Sequence, residues 1–404
     1  LRAYFYFELI KRYRNIPFVL DVLAQNEANG VNPESYEKIA KFIVDECSDL
    51  AQILPVNYDN FSTKEKGRVT RAAAMALKSR VTLYMASPLF SEDSEDKWKQ
   101  AAEAAYDIIK QKTDLGLDLV PYPQIFNDVN NQKAEVILYR PTGESGDFEK
   151  ANFPIGVEGG KTSTCPTQNL MEAYDMKDGT PFVWNNQSNP YDNRDPRMKY
   201  TIVCNEMKWP VDPVEIWEGG TNGLPLQNAT TTGYYLKKYV NNTISFEAGS
   251  TVTKKQHNWV LFRYGEILLN YAEAMINAFH DPNYKDAVYN MSAREAVNQI
   301  RGRTNISLPG FPSDITEKDF VKRLKNERRV ELAFEGHRFW DVRRWKELGQ
   351  TANIYGVKIT KNNEVISYEK FLLETRAVTD NMYFYPIPNT ERFKNPNLGQ
   401  NPGW

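Results

Sequence analysis

From Gly116 to Lys255 the sequence loses the helical periodicity that dominates the chain before it and from Leu261 to Leu348. Proline, glycine, asparagine, aspartate and threonine cluster inside it. An irregular segment of this length is uncommon in a compact chain, and where it occurs it is usually functional or mobile. The fold therefore has to hold a large irregular body against helices contributed from both ends.

Four helical stretches precede it. Arg2 to Tyr13 is dense in aromatics and runs toward Pro17, where proline stops a helix. Pro33 to Leu54 carries Tyr36, Ile39, Ala40, Ile43, Val44, Cys47, Leu50 and Leu54 at helical spacing, with Asn32 as the expected N-cap and Pro33 in the first turn. Thr70 to Ser87 has Ala73, Leu77, Val81 and Tyr84 on one stripe. Trp98 to Lys110 alternates small and large apolar residues. Four more follow: Leu261 to Ala278, Lys285 to Arg301, Glu317 to Phe334 and Arg338 to Leu348. The fragment from Tyr271 to Arg303 has the size and rhythm of a tetratricopeptide-like hairpin. Inside the irregular stretch only Val136–Tyr139 and Tyr200–Val203 read as strands, and Asp178-Gly179 as a turn.

The expected fold class is mainly α: a scaffold of tetratricopeptide-like helical hairpins carrying a large, loop-rich cap. The boundaries are residues 1–115 for the first hairpins, 116–258 for the cap, 259–350 for the second hairpins, and 351–404 for a loop-rich segment packed on the scaffold.

Charge narrows the function. Lys plus Arg total 50 and Asp plus Glu 52, a balance that argues against a nucleic-acid protein. No apolar run approaches the ~18 residues of a membrane-spanning helix. The three histidines and three cysteines lie at no zinc-ligand spacing, and whether Cys165 and Cys204 pair stays open. No nucleophile elbow, phosphate loop or dinucleotide fingerprint is present. Asp192, Asn193 and Asp195 in PYDNRDPRM faintly suggest calcium, but Asn-Pro and Asp-Pro steps more commonly mark turns. No metal, cofactor or catalytic residue is assigned.

The densest charged motif is NERRVELAFEGHRFWDVRRW, Asn326 to Trp345. Glu331 and Glu335 lie four residues apart, yet about as many arginines surround them. Arginines hold carboxylates ionised, which suits neither a proton donor nor a tuned base. Glu331, Glu335, Arg338 and Asp341 are therefore expected to form a structural network, with His337 a helix-end residue.

Aromatics make up 13% of the chain, and their positions differ in kind. Trp98, Trp340 and Trp345 fall on apolar helix stripes and read as core. Trp184, Trp209 and Trp217 sit in the irregular stretch among Asn, Asp, Glu and Gly, and Trp259 stands at its end; Tyr191, Tyr234 and Tyr235 join them. Flat aromatic faces beside polar side chains suit sugar rings, which stack by their C–H faces while hydroxyls find partners. Taken singly, each is better explained by the small cores a loop-rich region needs, and the ligand reading rests on the set. The expected ligand-binding set is Trp184, Trp209, Trp217, Tyr234 and Tyr235, with Tyr191, Asn185 and Asp192.

Taken in order, the motifs resemble the SusD/RagB family of outer-membrane nutrient-binding lipoproteins of Gram-negative bacteria. LRAYFYFELIKRYRNIPFV is similar to an early family helix and its exit. PTQNLMEAYDMKDGTPF (166–182) is similar to a central motif, and DPRM (195–198) to a family turn. FRYGEILLNYAEAMINA resembles the helix that opens the C-terminal half, and YPIPNTERFKNPNLGQNPGW the closing segment. The Asn326–Trp345 motif is the most specific match. The resemblance implies a non-catalytic protein that binds oligosaccharide or polysaccharide, or peptide in some members. It implies handing that ligand to a SusC-like TonB-dependent outer-membrane barrel, with no nucleic acid involved. It also implies a surface location held by an N-terminal lipid anchor. The signal peptide and lipidated cysteine are not in this sequence, which opens on a run that reads as mid-helix. A glycoside hydrolase on a helical fold is the competing reading, with Asp192, Glu215 and Glu218 as candidate acids. A helical-repeat adaptor binding only proteins is the third.

Overall fold

The computed structural model describes residues 1–404 except 25, 26, 59–66, 93, 131, 132, 186–188 and 248–252. Four helices form the first hairpins: α1 Arg2–Tyr13, α2 Tyr36–Ile53, α3 Arg71–Ala86 and α4 Glu95–Lys110. Their starts are set by hydroxyl caps. Ser35, Thr70 and Ser94 each accept a bond from the backbone N–H three residues on. Ser35, not Asn32, therefore caps α2. The preceding Pro33–Glu34 is instead a short strand, β2, paired antiparallel with β1 at Ile16–Pro17.

In the C-terminal half, α8 (Tyr264–Phe279) is buried all round, as expected of a helix apolar on every face. It packs against α3, α4, α9 (Ala293–Arg301) and α10 (Glu317–Glu331). These helices share one core in which Ile267, Leu268, Met275 and Trp98 are buried. The helix starts later than the sequence pattern places it. Asn258–Arg263 is strand β6, antiparallel to β3 at Val136–Pro141, and that pairing holds the backbone extended up to Arg263.

Among its described residues the cap has the short α-helices α5 Asp147–Asn152, α6 Gln168–Met171 and α7 Met198–Thr201, a 3-10 turn at Tyr122–Ile125, and a tiny sheet, β4 Ile202–Val203 with β5 Tyr235–Leu236. Tyr200 and Thr201, expected in a strand, close α7. The cap has its own core, built on Met171, Tyr174, Ile202, Tyr234 and Leu236. Cys165 and Cys204 are both free thiols.

The largest departure from the sequence reading lies after residue 350. Asn353–Asn362 (β7) and Val365–Thr375 (β8) form a long antiparallel hairpin, where loop was expected. Val357, Ile359 and Tyr368 from this hairpin complete the core of the cap, so the segment does not simply pack on the helical scaffold. Gly233 marks the docking point. Its φ is +84°, and a Cβ there would lie 2.5 Å from Val357 atoms. Among the described residues no helix is long and apolar enough to cross a membrane.

A ladder of buried charge joins cap to scaffold. Glu331 accepts from Arg197 (2.8 Å), Arg263 (2.9 Å) and Arg303 (2.9 Å). Arg197 also reaches Asp195 and Glu327, Arg263 reaches Glu135 and Glu335, and Glu327 accepts from Arg301. Asp195, Arg197 and Glu135 fall within the 116–258 stretch, Glu135 just before β3, and the rest come from the scaffold side. Despite heavy burial, the arginines hold Glu331 well below the usual carboxylate range. Asp341 belongs to a second cluster with Arg328, Arg344 and Glu273. Arg338, expected in the network, is not in it. Its guanidinium points outward from α11 (Arg338–Arg344) to Gln350 Oε1 at 2.8 Å. His337 is the N-cap residue of α11, near Arg328.

Candidate functional site

Among the described residues, two of the cavities that open on the cap meet at Trp209. One has a volume of 510 Å³ and is walled by Phe126, Tyr200, Tyr239 and His257. The other, 820 Å³, is walled by Phe153, Phe246, Asp212 and Glu215. Trp209, Asn242 and Thr243 line both. The volumes fall within the range of small-ligand sites.

Local structure explains why Trp209 stands at the junction. Lys208 bridges Pro213, and Trp209 N–H donates to Asp212 carbonyl at 2.8 Å, closing a tight turn. The Trp209–Pro210 peptide is cis. The indole is 7% exposed, yet its Nε1–H has no partner among the described residues. A buried donor without a partner is costly, so a site that leaves one is arranged for something else to accept from it. The Lys237 ammonium lies 4.9 Å from the indole centroid. Among the described residues its only hydrogen-bond partner is Met207 Sδ at 3.7 Å, and burial lowers its pKa.

The first cavity has a charged floor. Lys238 Nζ donates to Glu335 Oε1 and to the Tyr122 hydroxyl, both at 2.9 Å. Burial pushes this lysine down to about 8, against the pull of Glu335. One wall carries His257, whose Nε2 is 3.0 Å from Glu149 Oε1 and whose ring stacks on Trp259 at 5.2 Å. Asp128 faces Lys255 at 3.6 Å. Aromatic walls with amide, hydroxyl and paired charged groups between them can stack a ring and bond its hydroxyls.

The eight residues expected from sequence do not converge. Tyr234 and Tyr235 are fully buried, with hydroxyls donating to Gln168 Oε1 (2.5 Å) and to the Asn222 carbonyl. Their faces are packed inside the cap, so neither presents a stacking surface. Tyr191 lies edge-on to Tyr234 and to Tyr368. Trp217 is half-buried beside the C-terminal hairpin, with Lys361 over its ring at 4.5 Å. Trp184 is half-buried against Phe182, and Asn185 and Asp192 are exposed. Of the eight, Trp209 lines the cavities. The pattern missed Phe126, Tyr239, Phe246 and the Asn241-Asn242-Thr243 run. The run of polar residues after the lysine pair Lys237-Lys238 was the available signal.

The helical scaffold, the cap and the cleft between cap loops define a known class of protein. The SusD family model matches residues 125–404, and the chain belongs to that family. Solved structures agree over essentially the whole chain. A SusD-like protein from Bacteroides fragilis superposes with a TM-score of 0.82 at 26% identity, covering 100% of this chain and 78% of that one. A SusD-like carbohydrate-binding protein from the same species gives 0.80 at 26% identity, covering 98% and 78%. Surface glycan-binding protein A from Bacteroides uniformis shares the fold with a TM-score of 0.67 at 17% identity, covering 99% and 76%. SusD-like protein P2 of Formosa agariphila is 29% identical over 163 residues, a match spanning 39% of this chain and 28% of that protein.

Proposed function

We propose that this chain is a non-catalytic glycan-binding protein of the bacterial cell surface. In this reading it captures oligosaccharide in the Trp209 cleft and passes it to a SusC-like TonB-dependent outer-membrane barrel, with a lipid anchor holding it at the membrane. The observation that carries the reading is the partnerless indole N–H of Trp209, set where two sugar-sized cavities meet. Family membership and the carbohydrate-binding relative from B. fragilis support the ligand class. A hydrolase would need one carboxyl with a raised pKa beside the bond it cleaves. Asp175 is pushed up to about 6 but lines a different cavity. An open, wet cleft limits the net gain per hydrogen bond. Affinity is therefore expected in the micromolar to millimolar range, about -8 to -4 kcal/mol.

Calorimetry with a panel of neutral oligosaccharides tests this. Trp209→Phe keeps a stacking face and removes the N–H, and should weaken binding about fivefold to tenfold. Asn242→Ala should weaken it as well. Wild-type affinity in both variants, or release of reducing ends on incubation with the bound glycan, would sink the reading.

A further inference from the structure

The fully buried arginines of this protein follow one rule: with Arg194 excepted, each meets a carboxylate. Arg80 meets Glu266, Arg197 Asp195, Arg263 Glu135, Arg301 Glu327, Arg303 Glu331, Arg328 Asp341 and Arg344 Glu273. Arg194 instead donates to the carbonyls of Met171, Tyr174 and Pro190. Arg329, on α10, has neither kind of partner. It makes no hydrogen bond or ion pair with any described residue, and it is half-buried.

Arg329 lines a 510 Å³ cavity between α10, the 172–182 segment and the turn at Gln350. Arg338 and Arg323 line it too. Among the described residues Arg338 donates only to Gln350 Oε1, and Arg323 only to the Gly179 carbonyl at 3.0 Å. Lys318 and Lys322 add two exposed cations at its edge. The acids in the wall are mostly spoken for. Glu347 pairs with Lys325 at 2.5 Å, Glu172 with Lys370 at 2.8 Å, and Asp175 lies 3.8 Å from Arg301. Three guanidiniums that form no ion pair with a described carboxylate therefore line one half-open cavity. Arg329 and Arg338 raise each other's energy there, and burial together with that repulsion lowers the pKa of Arg329 to about 10. Half-buried guanidiniums with no ion-pair partner among the described residues leave N–H donors free to meet an incoming anion.

We propose that this cavity is a second ligand site, for an oxyanion: the carboxylate or sulfate ester of an acidic saccharide. Guanidinium forks match planar or tetrahedral oxyanions bidentately, and the cavity holds three of them. The saccharide rests on the function proposed above, whereas the oxyanion rests on the arginines alone. The site is lined by none of the residues of the Trp209 cleft.

The test is calorimetry on the full chain at low ionic strength, with sodium glucuronate, sodium sulfate, glucose and triglutamate as separate probes. Saturable one-site binding of glucuronate, sulfate or both is expected, with no heat from glucose and weakening as salt is added. Which of the two binds assigns the carboxylate or the sulfate ester. Arg329→Gln and Arg338→Gln should each weaken binding about tenfold or more, and Arg329→Lys should retain part of it. The melting temperature of unliganded Arg329→Gln should not fall, since an unpaired cation is removed. Trp209→Phe should leave these affinities unchanged, so a failed Trp209 cleft and a failed oxyanion site are told apart. The proposal is overturned by absence of saturable binding to either oxyanion, by wild-type affinity in both glutamine variants, or by equal binding of glucose. Binding of triglutamate alone would overturn it in favour of an acidic protein partner.

Discussion

Lys238 donates to Glu335 across 2.9 Å, and that bond ties the floor of the Trp209 cleft to the arginine ladder beneath it. The most specific sequence motif of the chain thus acts on the site through its support. Glu335 holds Arg263 as well as Lys238, and Arg263 in turn holds Glu135 and Glu331.

Removing one member of a buried ion cluster leaves its partners charged and unpaired, typically at a cost of about 3–5 kcal/mol. Glu335→Gln should fall at the low end of this range, because Arg263 keeps two other carboxylates. Glu331→Gln should exceed it, because Arg197, Arg263 and Arg303 all lose an acceptor. Denaturant melts would rank them. Glycan affinity of folded Glu335→Gln should stay within about twofold of wild type. Strong loss of binding with an unchanged melt would contradict a supporting role.

Lys238 also predicts a pH effect with a definite sign. Its folded value is about 8, below the ordinary 10.5. Between pH 8 and 10.5 the unfolded chain binds a proton at this lysine that the folded chain lacks. The contribution of this group to stability therefore rises with pH in that window and is flat below it. Comparing urea melts of wild type and Lys238→Met at pH 7 and pH 9.5 isolates it from Lys11, which is also lowered. The stability difference should shift in favour of wild type at the higher pH. A difference independent of pH would refute the assignment.

Much of the scaffold was legible because its signals are local. Ser and Thr caps, the apolar stripes of α2 and α4 and the all-apolar α8 lie within one turn or one helix. The arginine ladder was legible only in part. The excess of arginine near Glu331 pointed to a structural role, but Arg197 and Glu135 lie more than a hundred positions away in sequence, and nothing local pairs them. Arg338 looked like a member by proximity and faces outward. The C-terminal hairpin was missed although Val357, Ile359 and Tyr368 alternate with polar residues at the period of a strand, because Asn362-Asn363 was not read as marking the turn that pairs the two runs. Asn363 has a φ of 54°, which asparagine tolerates. Tyr234 and Tyr235 show the limit at the site. A tyrosine in a polar loop reads the same whether its ring faces a sugar or the interior, and only the fold decides which.

That distinction is measurable. Tyr234→Phe removes the donor to Gln168 Oε1 and should cost about 1 kcal/mol of stability while leaving glycan affinity unchanged. A several-fold loss of affinity with normal stability would restore Tyr234 to the binding surface.

The hairpin gives a further contrast. Ile359 is 2% exposed and belongs to the core of the cap. Ile359→Ala should cost about 2–5 kcal/mol. The loss should appear in hydrogen exchange first at β4–β5, which shares that core, and later in α8, which lies in the scaffold. Simultaneous exposure of both would show that cap and scaffold unfold as one unit.

Asp175 offers the last test, because it stands where the ladder meets the arginine cavity. Burial raises its pKa to about 6, reinforced by Glu327 and opposed by Arg301 and Arg323. Between pH 3.8 and 6 the folded chain keeps a proton that the unfolded chain has released. The contribution of this group to stability therefore falls as pH rises through that window, and is lowest above 6. Asp175→Asn removes the penalty, and Arg301 still keeps Glu327 at 2.7 Å. Relative to wild type the variant should gain nothing at pH 3.5 and about 1 kcal/mol at pH 7, a figure discounted for the partial exposure of the group. The same change removes a negative charge from the wall that Arg329 and Arg323 face. At pH 7 the variant should hold glucuronate or sulfate more tightly than wild type, and at pH 4, where wild-type Asp175 is itself neutral, the two affinities should converge. A gain in stability that does not depend on pH would mean that it does not arise from ionising Asp175, and the convergence would then fail as well.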